Sequence, residues 1–367
     1  MSRKLIGLSG VSLLGLSLLS PGVLASNWVE RTDISGFFSA RYSLTDEKAY
    51  FDGDRDTGLN MDTGINDDGS FQGTKLGLMI SSQINNDLSV AMLLMSAADH
   101  ENFGTHVDWA FASFRLSDEF TLRTGKIKFP VGLVNEYVDV GATYPWINAP
   151  LLLYAEETAG PQATREAYTG ASLLWEGDVG DWSLGSDLFF GQVDLEGMSV
   201  KGTLGVTARA NWDDTIEFQA STYQGEMNSD PTGSLAIMNE KDHSATLVGV
   251  KLDWNNIVAY AEAASVEMDV TIVEKRPGDS DSWYVTLGYR IGKFLPHITR
   301  QDWERGNGNN QQISTLGVAY SFTDSMVLKA EQSRIEMDDF ANQKGLFNVS
   351  PADGSVDMTS IAVDIIF

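Results

Sequence analysis

Apolar and polar residues alternate with a period of two over most of this chain. In one segment the apolar positions are Trp283, Val285, Leu287, Tyr289 and Ile291, separated by Tyr284, Thr286, Gly288 and Arg290. Successive side chains of a β-strand point to opposite faces, so this period predicts strands with one apolar and one polar face. A soluble β-sandwich would show the same alternation, so the spacing between strands has to decide the architecture.

We predict sixteen strands, near residues 33–42, 72–83, 87–97, 106–117, 119–128, 168–178, 181–192, 203–212, 215–225, 244–254, 256–267, 282–292, 294–304, 312–322, 324–336 and 357–367. The faces of the third, fourth, eleventh and thirteenth are indistinct. Connections after even-numbered strands are short, whereas those after odd-numbered strands are predicted to be long and polar, including residues 98–105 and 193–202. An up-and-down barrel with its tight turns at one rim explains this pattern, and a Greek-key sandwich does not.

The predicted fold is therefore all-β: a transmembrane antiparallel up-and-down β-barrel of about 16 strands. Closure of such a barrel leaves no free sheet edge and pairs every backbone group within lipid.

The N-terminal segment has the features of a secretory signal. Arg3 and Lys4 precede an apolar stretch, and small residues lead to a predicted cleavage site after Ala25. Residues 1–25 are therefore expected to be removed, which leaves residues 26–367 as the barrel domain.

The charge balance narrows the classes of partner. The chain carries 25 basic and 51 acidic residues, for a net charge of −26, and loss of Arg3 and Lys4 would lower it to −28. Phosphates would be repelled by such a chain, so no nucleic-acid partner is expected. There is no cysteine, so no disulfide contributes to stability.

The connection between the fifth and sixth strands, residues 129–167, is unusually long. Connections of this length in compact domains are usually functional or disordered. This one is rich in apolar and aromatic residues, which disfavours disorder, and it contains four prolines, which prevent one continuous strand or helix. We therefore expect it to pack against the rest of the chain.

Three runs of residues resemble a known family: residues 125–130 (GKIKFP), 136–141 (EYVDVG) and 144–146 (YPW). With the strand pattern and the terminal Phe367, the chain resembles a Gram-negative outer-membrane porin of the sixteen-stranded general-diffusion type, as found in marine and environmental proteobacteria. It departs from the enteric pattern, Pro-Glu-Phe-Gly-Gly, at residues 130–133 (PVGL).

The resemblance implies a homotrimer in the cell outer membrane, in contact with lipid and lipopolysaccharide. It also implies that residues 129–167 fold into the pore as its constriction, and that small hydrophilic solutes and ions diffuse passively through a water-filled channel. The signal peptide and the Gram-negative family are consistent with this location.

Selectivity in a pore comes from its diameter and from the charges at its narrowest point. The candidate constriction residues are acidic groups of the loop and basic groups of nearby strands, namely Glu136, Asp139, Glu156, Glu157, Arg41, Lys75, Arg115 and Arg123. Some of these could instead pair with one another and hold the loop in place. Because acids and bases are similar in number there, we expect only weak cation selectivity.

Other functions are weighed against the same residues. Asp52, Asp54 and Asp56 alternate as in calcium loops, but the glycine is displaced and no glutamate closes the loop, so no metal site or cofactor is predicted. The four histidines lack the motifs of serine hydrolases or zinc proteases, so no enzyme is expected. A substrate-specific outer-membrane channel and a secreted β-rich binding protein remain as alternatives.

Overall fold

A computed structural model of the protein describes residues 31–51, 64–99, 102–154, 167–195, 198–233, 235–270, 279–306, 308, 310–337, 346–349, 351 and 353–367. Sixteen long strands dominate it: β1 Thr32–Thr45, β2 Lys75–Gln83, β3 Leu88–Asp99, β4 Asn102–Arg115, β5 Phe120–Lys128, β6 Ala167–Val179, β7 Trp182–Leu195, β8 Met198–Trp212, β9 Ile216–Ser229, β10 Lys241–Trp254, β11 Ile257–Met268, β12 Ser280–Tyr289, β13 Phe294–Arg305, β14 Asn310–Thr323, β15 Met326–Met337 and β16 Ser355–Ile366. The predicted signal segment lies outside the described residues.

The strands close into a single antiparallel barrel, as the sequence predicts. Each strand pairs with its neighbours along the chain, and β1 pairs with β16 from Phe37↔Ile366 to Thr45↔Met358. Phe367 continues this seam, because its backbone exchanges two hydrogen bonds with Gly36, of 2.8 and 3.0 Å. A Cβ atom on Gly36 would lie 2.6 Å from the Phe367 ring and 2.7 Å from the Gly77 carbonyl oxygen, so a larger residue would force the ring and the backbone to shift.

The two faces of the barrel wall differ as the alternation predicts. On β12 the side chains of Trp283, Val285 and Leu287 are 41–53% exposed. Ser282 and Thr286 point the other way and are 4% and 1% exposed. Apolar side chains therefore cover the outside, where a bilayer would remove them from water, and small polar side chains line much of the inside.

Two predicted long connections are wrong. β3 extends to Asp99 and β4 begins at Asn102, so the predicted connection at 98–105 shrinks to residues 100–101. β7 likewise extends to Leu195 and β8 begins at Met198, in place of the connection predicted at 193–202. The backbone ladders run on to Asp99↔Asn102 and Leu195↔Met198, so the strands continue past the points at which the sequence pattern ended them.

The tight turns join even-numbered strands to the next strand. Several use left-handed backbone conformations, with φ of 45° and 55° at Asp213 and Asp214, 55° at Asn255 and 64° at Gly180. Asp, Asn and Gly are the residues that two-residue hairpin turns favour for this reason.

At the opposite rim, the first and last long connections meet. Tyr50–Phe51 pairs with Phe347–Val349 as a small two-stranded sheet. Phe51 and Phe347 pack edge to face, with ring centroids 5.1 Å apart, in an apolar cluster that also holds Trp303. Part of the barrel mouth at this rim is therefore covered by packed apolar side chains.

Among the described residues, helical structure is limited to short turns. These are Asn135–Tyr137, Gly141–Thr143, Leu151–Tyr154 and Ala236–Met238. In the described part of the chain, no helix is sufficiently long and apolar to cross a membrane.

Cysteine labelling tests which rim faces outward. Thr232 lies in the β9–β10 connection, whereas Asn86 lies in the tight turn between β2 and β3, and both are exposed. On intact cells we expect a membrane-impermeant maleimide to label the Thr232→Cys protein and to leave the Asn86→Cys protein unlabelled. The Asn86→Cys protein should react once the outer membrane is opened. Labelling in the reverse order would contradict this orientation.

Candidate functional site: the connection between β5 and β6

Residues 129–154 form the described part of the long β5–β6 connection. The side chains of Phe129, Val134, Trp146 and Leu152 are at most 2% exposed, which is unusual for a loop. Three prolines interrupt the segment, so it proceeds as one-turn helices instead of a continuous element. Its fixed course must come from contacts with the barrel wall.

The first anchor joins the start of the loop to β8 and β9. The Thr207 hydroxyl donates to the Pro130 carbonyl oxygen at 2.5 Å. The Gln219 side-chain amide donates to the Gly132 carbonyl oxygen at 2.9 Å. Both donors lie on the inner face of the barrel, so the chain turns inward as soon as it leaves β5.

Glu262, on β11, is the second anchor. Its carboxylate accepts hydrogen bonds from the Leu133 backbone amide at 3.0 Å, the Tyr154 hydroxyl at 2.5 Å and the Tyr284 hydroxyl at 3.1 Å. Burial raises the pKa of Tyr154, so its hydroxyl keeps the proton that it donates. Three hydrogen bonds to one carboxyl group therefore join both ends of the described loop segment.

Trp146 attaches the middle of the loop to β12 and β13. Its indole Nε1 donates to the hydroxyls of Thr286 on β12 and Thr299 on β13, at 2.9 and 3.0 Å. Further along, the Leu152 backbone amide donates to the Gln301 side-chain oxygen on β13 at 3.1 Å. Small polar side chains of the inner face thus satisfy the loop's buried donors.

Lys329, on β15, is the third anchor and is fully buried. Its ammonium group donates to the carbonyl oxygens of Gly141 and Trp146, both at 2.6 Å, and pairs with Asp364 on β16 at 2.9 Å. It also lies 4.8 Å from the centre of the Tyr144 ring. One charged group therefore fixes two separate points of the loop.

Asp139 attaches the loop to the opposite side of the barrel. Its carboxylate lies 2.6 Å from the Lys75 ammonium on β2 and 2.7 Å from that of Lys128 on β5. Lys128 also pairs with Asp108 on β4 at 3.1 Å. Burial alone would raise the pKa of Asp139, but the two ammonium groups outweigh it and hold that pKa well below its usual range.

This contact should therefore persist in mild acid. A carboxyl group with a depressed folded-state pKa contributes stability above its unfolded-state pKa and loses it only as pH falls through the folded-state value. The Asp139 anchor is thus fully in place at neutral pH.

Four of the predicted constriction residues meet at the loop. Glu136 pairs with Arg209 of β8 at 2.6 Å, with both side chains partly exposed, while Asp139 pairs with Lys75. Arg41, on β1, is buried and donates to the Asn148 side-chain oxygen of the loop.

The other predicted residues are placed differently. Arg123 lies beneath the loop, with its guanidinium 5.5 Å from the centre of the Phe111 ring. Arg115 is more than half exposed near the tight turn between β4 and β5, where it pairs with Asp118, and the structure does not bring it to the loop. Glu156 and Glu157 lie outside the described residues, as does the aspartate-rich segment considered for calcium.

Several residues that hold the loop were not singled out from the sequence. They are Arg209, Glu262, Lys329, Glu331 and Asp364, and Glu331 accepts a hydrogen bond from the Ile147 backbone amide at 2.9 Å. All sit on the inner faces of strands. The sequence did offer one signal for them: each is a charged residue on the polar face of a predicted strand.

A cavity of about 590 Å³ lies on the tight-turn side of the loop. Loop residues Leu133, Glu136 and Tyr137 line it, together with inward side chains of strands that include Arg123 and Arg209. The arrangement can bind or pass a small solute between charged and apolar walls.

No protein-family model matches the sequence, and no curated protein matches it. Solved structures are similar in fold. OmpF of Salmonella typhi, in complex with daunomycin, has a TM-score of 0.62 and 16% identity, covering 92% of this chain and 97% of that one.

Two further structures show the same fold. The anion-selective porin of Comamonas acidovorans has a TM-score of 0.61 and 11% identity, covering 92% of this chain and 99% of that one. A loop L8 deletion mutant of OmpT, an outer membrane protein of Vibrio cholerae, has a TM-score of 0.59 with the same identity and coverage. The chain therefore has the sixteen-stranded barrel fold of outer-membrane porins.

Proposed function

We propose that the chain is an outer-membrane porin: a water-filled channel for passive diffusion of small hydrophilic solutes and ions. The observation that carries this function is the set of contacts made by residues 129–154. They are held from the β8–β13 side by Glu262 and Trp146 and from the β2–β5 side by Asp139. A loop tied to both sides of a closed barrel sets the narrowest point of the passage through it.

No catalytic residue is assigned in this proposal. The charged groups around the loop form ion pairs and hydrogen bonds with it, which is a positioning role. A pore discriminates by its diameter and its lining charges and needs no reacting group.

We also propose a homotrimer embedded in outer-membrane lipid and lipopolysaccharide. OmpT of Vibrio cholerae, which shares the fold, has been solved in a trimer form. The exposed apolar side chains on the outer face of the barrel, such as Leu204, Val248 and Leu316, suit contact with lipid or with a second copy.

Weak cation selectivity follows from the charges near the loop. Acids and bases are similar in number there: Asp108, Glu136, Asp139, Glu262, Glu331 and Asp364 against Arg41, Lys75, Arg123, Lys128, Arg209 and Lys329. No strong excess of either sign is therefore expected at the loop, and the negative charge of the whole chain acts mainly at the mouths. Salt screens it there beyond about 8 Å at physiological ionic strength.

Reversal potentials in a KCl gradient test the selectivity. We expect a modest cation preference that weakens as salt rises. Glu136→Gln leaves the Arg209 guanidinium without its partner and should shift the reversal potential toward anions. Asp324→Asn, in an exposed turn between β14 and β15, is a control with the same charge change and should shift it less. An anion preference of the unaltered protein at low salt would contradict this assignment.

Liposome swelling tests the channel itself. Vesicles that contain the purified protein should swell in small sugars, at rates that fall steeply as the sugar becomes larger. A correctly folded protein that leaves vesicles impermeable to every sugar would rule out passive diffusion of such solutes.

A further inference from the structure

One wall of the cavity beneath the loop is apolar, unlike most of the inner face. Met79, Ala91, Trp109 and Phe111, from β2, β3 and β4, line it, together with Ile127 of β5. The Trp109 and Phe111 rings lie 5.3 Å apart and are inclined by 33°. Phe111 packs against the apolar cluster of the loop, and loop residue Val140 packs against the cluster that holds Trp109, so the loop covers part of this wall. The rest of the wall faces the cavity.

Arg123 extends from β5 over this aromatic wall. Its guanidinium lies 5.5 Å from the centre of the Phe111 ring, a cation–π arrangement. The Arg123 Nε atom is buried and has no hydrogen-bond partner among the described residues. A buried guanidinium donor without a partner leaves hydrogen-bonding capacity for a ligand.

The acids nearby do not neutralise Arg123 directly. Glu136, which also lines the cavity, forms an ion pair with Arg209 at 2.6 Å. The buried Asp187 on β7 interacts with Arg123 electrostatically, but the two form no ion pair in the described structure. Arg123 therefore has no ion-pair partner among the described residues.

Two complementary surfaces thus lie side by side. A guanidinium binds a carboxylate through two parallel hydrogen bonds, and the neighbouring aromatic rings accept the face or edge of an apolar group. The cavity volume of about 590 Å³ lies within the range of small-molecule sites.

We propose that Arg123, Phe111 and Trp109 form a binding site for small monocarboxylates with an aromatic or apolar body. This site rests on the proposed channel function, since the solute reaches it through the barrel. A single negative charge is favoured because acids outnumber bases in the lining, with Asp118, Asp214 and Glu217 closer to the tight-turn rim. Those acids repel a second anionic group.

The test is block of single-channel current by sodium benzoate. Benzoate should reduce the KCl current of the unaltered protein in a saturable manner, whereas benzyl alcohol and phthalate should bind more weakly. Arg123→Gln should raise the benzoate dissociation constant by about tenfold or more, because a charge-assisted pair is lost. Phe111→Leu, which keeps an apolar side chain, should raise it by about two- to fivefold.

Arg334→Gln is the matched control, since it removes the same charge from an exposed arginine of β15 outside the cavity. It should change the dissociation constant by less than about twofold. Equal block of the Arg123→Gln and unaltered channels would overturn the site, and so would block by benzyl alcohol as strong as by benzoate. Normal KCl conductance without benzoate block would refute this site alone, whereas absence of any conductance would refute the channel.

Discussion

Replacing residues 139–150 with a short glycine–serine linker should raise the single-channel conductance by at least about twofold, because the constriction then widens toward the full barrel. The removed segment includes Asp139 and Trp146, which attach the loop to opposite sides of the wall. None of it belongs to a barrel strand, so the backbone ladder is untouched. Liposome swelling should then admit sugars too large for the unaltered protein.

The matched control replaces residues 230–239, in the outer connection between β9 and β10, with a similar linker. It should leave conductance and sugar cutoff close to those of the unaltered protein. Folding of both variants is checked by heat-modifiable migration on gels. Unchanged conductance of a folded 139–150 variant would place the loop outside the conducting path.

Changing Lys329→Met should produce the second large effect, on stability and on channel noise. The Lys329 and Asp364 side chains are at most 1% exposed, so the change leaves a buried carboxylate without its partner. It also removes the donor to the Gly141 and Trp146 carbonyl oxygens. Breaking a buried ion pair from one side costs about 3–5 kcal/mol, which should appear as a lower unfolding midpoint in denaturant.

The released loop should also make the single-channel current fluctuate between levels. Lys293→Met, at an exposed turn lysine, is the control and should be nearly neutral. Adding Asp364→Asn to Lys329→Met should recover part of the stability, because no unpaired charge then remains. A Lys329→Met protein as stable as the Lys293→Met control would show that the buried pair does not hold the loop.

The barrel could be predicted from sequence because lipid and water impose opposite demands on alternate residues. The alternation of apolar and polar residues was a poor guide where the inner face is not polar and near the ends of strands. On β3 and β4 the alternation is indistinct because Leu93, Met95, Trp109 and Phe111 make the inner face apolar as well. The predicted alternation also ended before the strands did, because the backbone ladders continue to Asp99↔Asn102 and Leu195↔Met198.

The candidate site was predictable only in part. Glu136 and Asp139 were singled out because they stand in the long connection between the fifth and sixth predicted strands. Their partners depend on which strands face each other across a closed barrel. Arg209 and Lys75 lie 73 and 64 residues away from them along the chain. Periodicity places a side chain on the inner face but does not say which loop atom it will meet there.

Single-channel recording of the purified, unaltered protein in a planar bilayer tests the central claim most directly. A water-filled barrel narrowed by residues 129–154 predicts discrete conductance steps that grow with KCl concentration and pass both cations and anions. A folded, membrane-inserted protein that gives no steps at any salt concentration would contradict it.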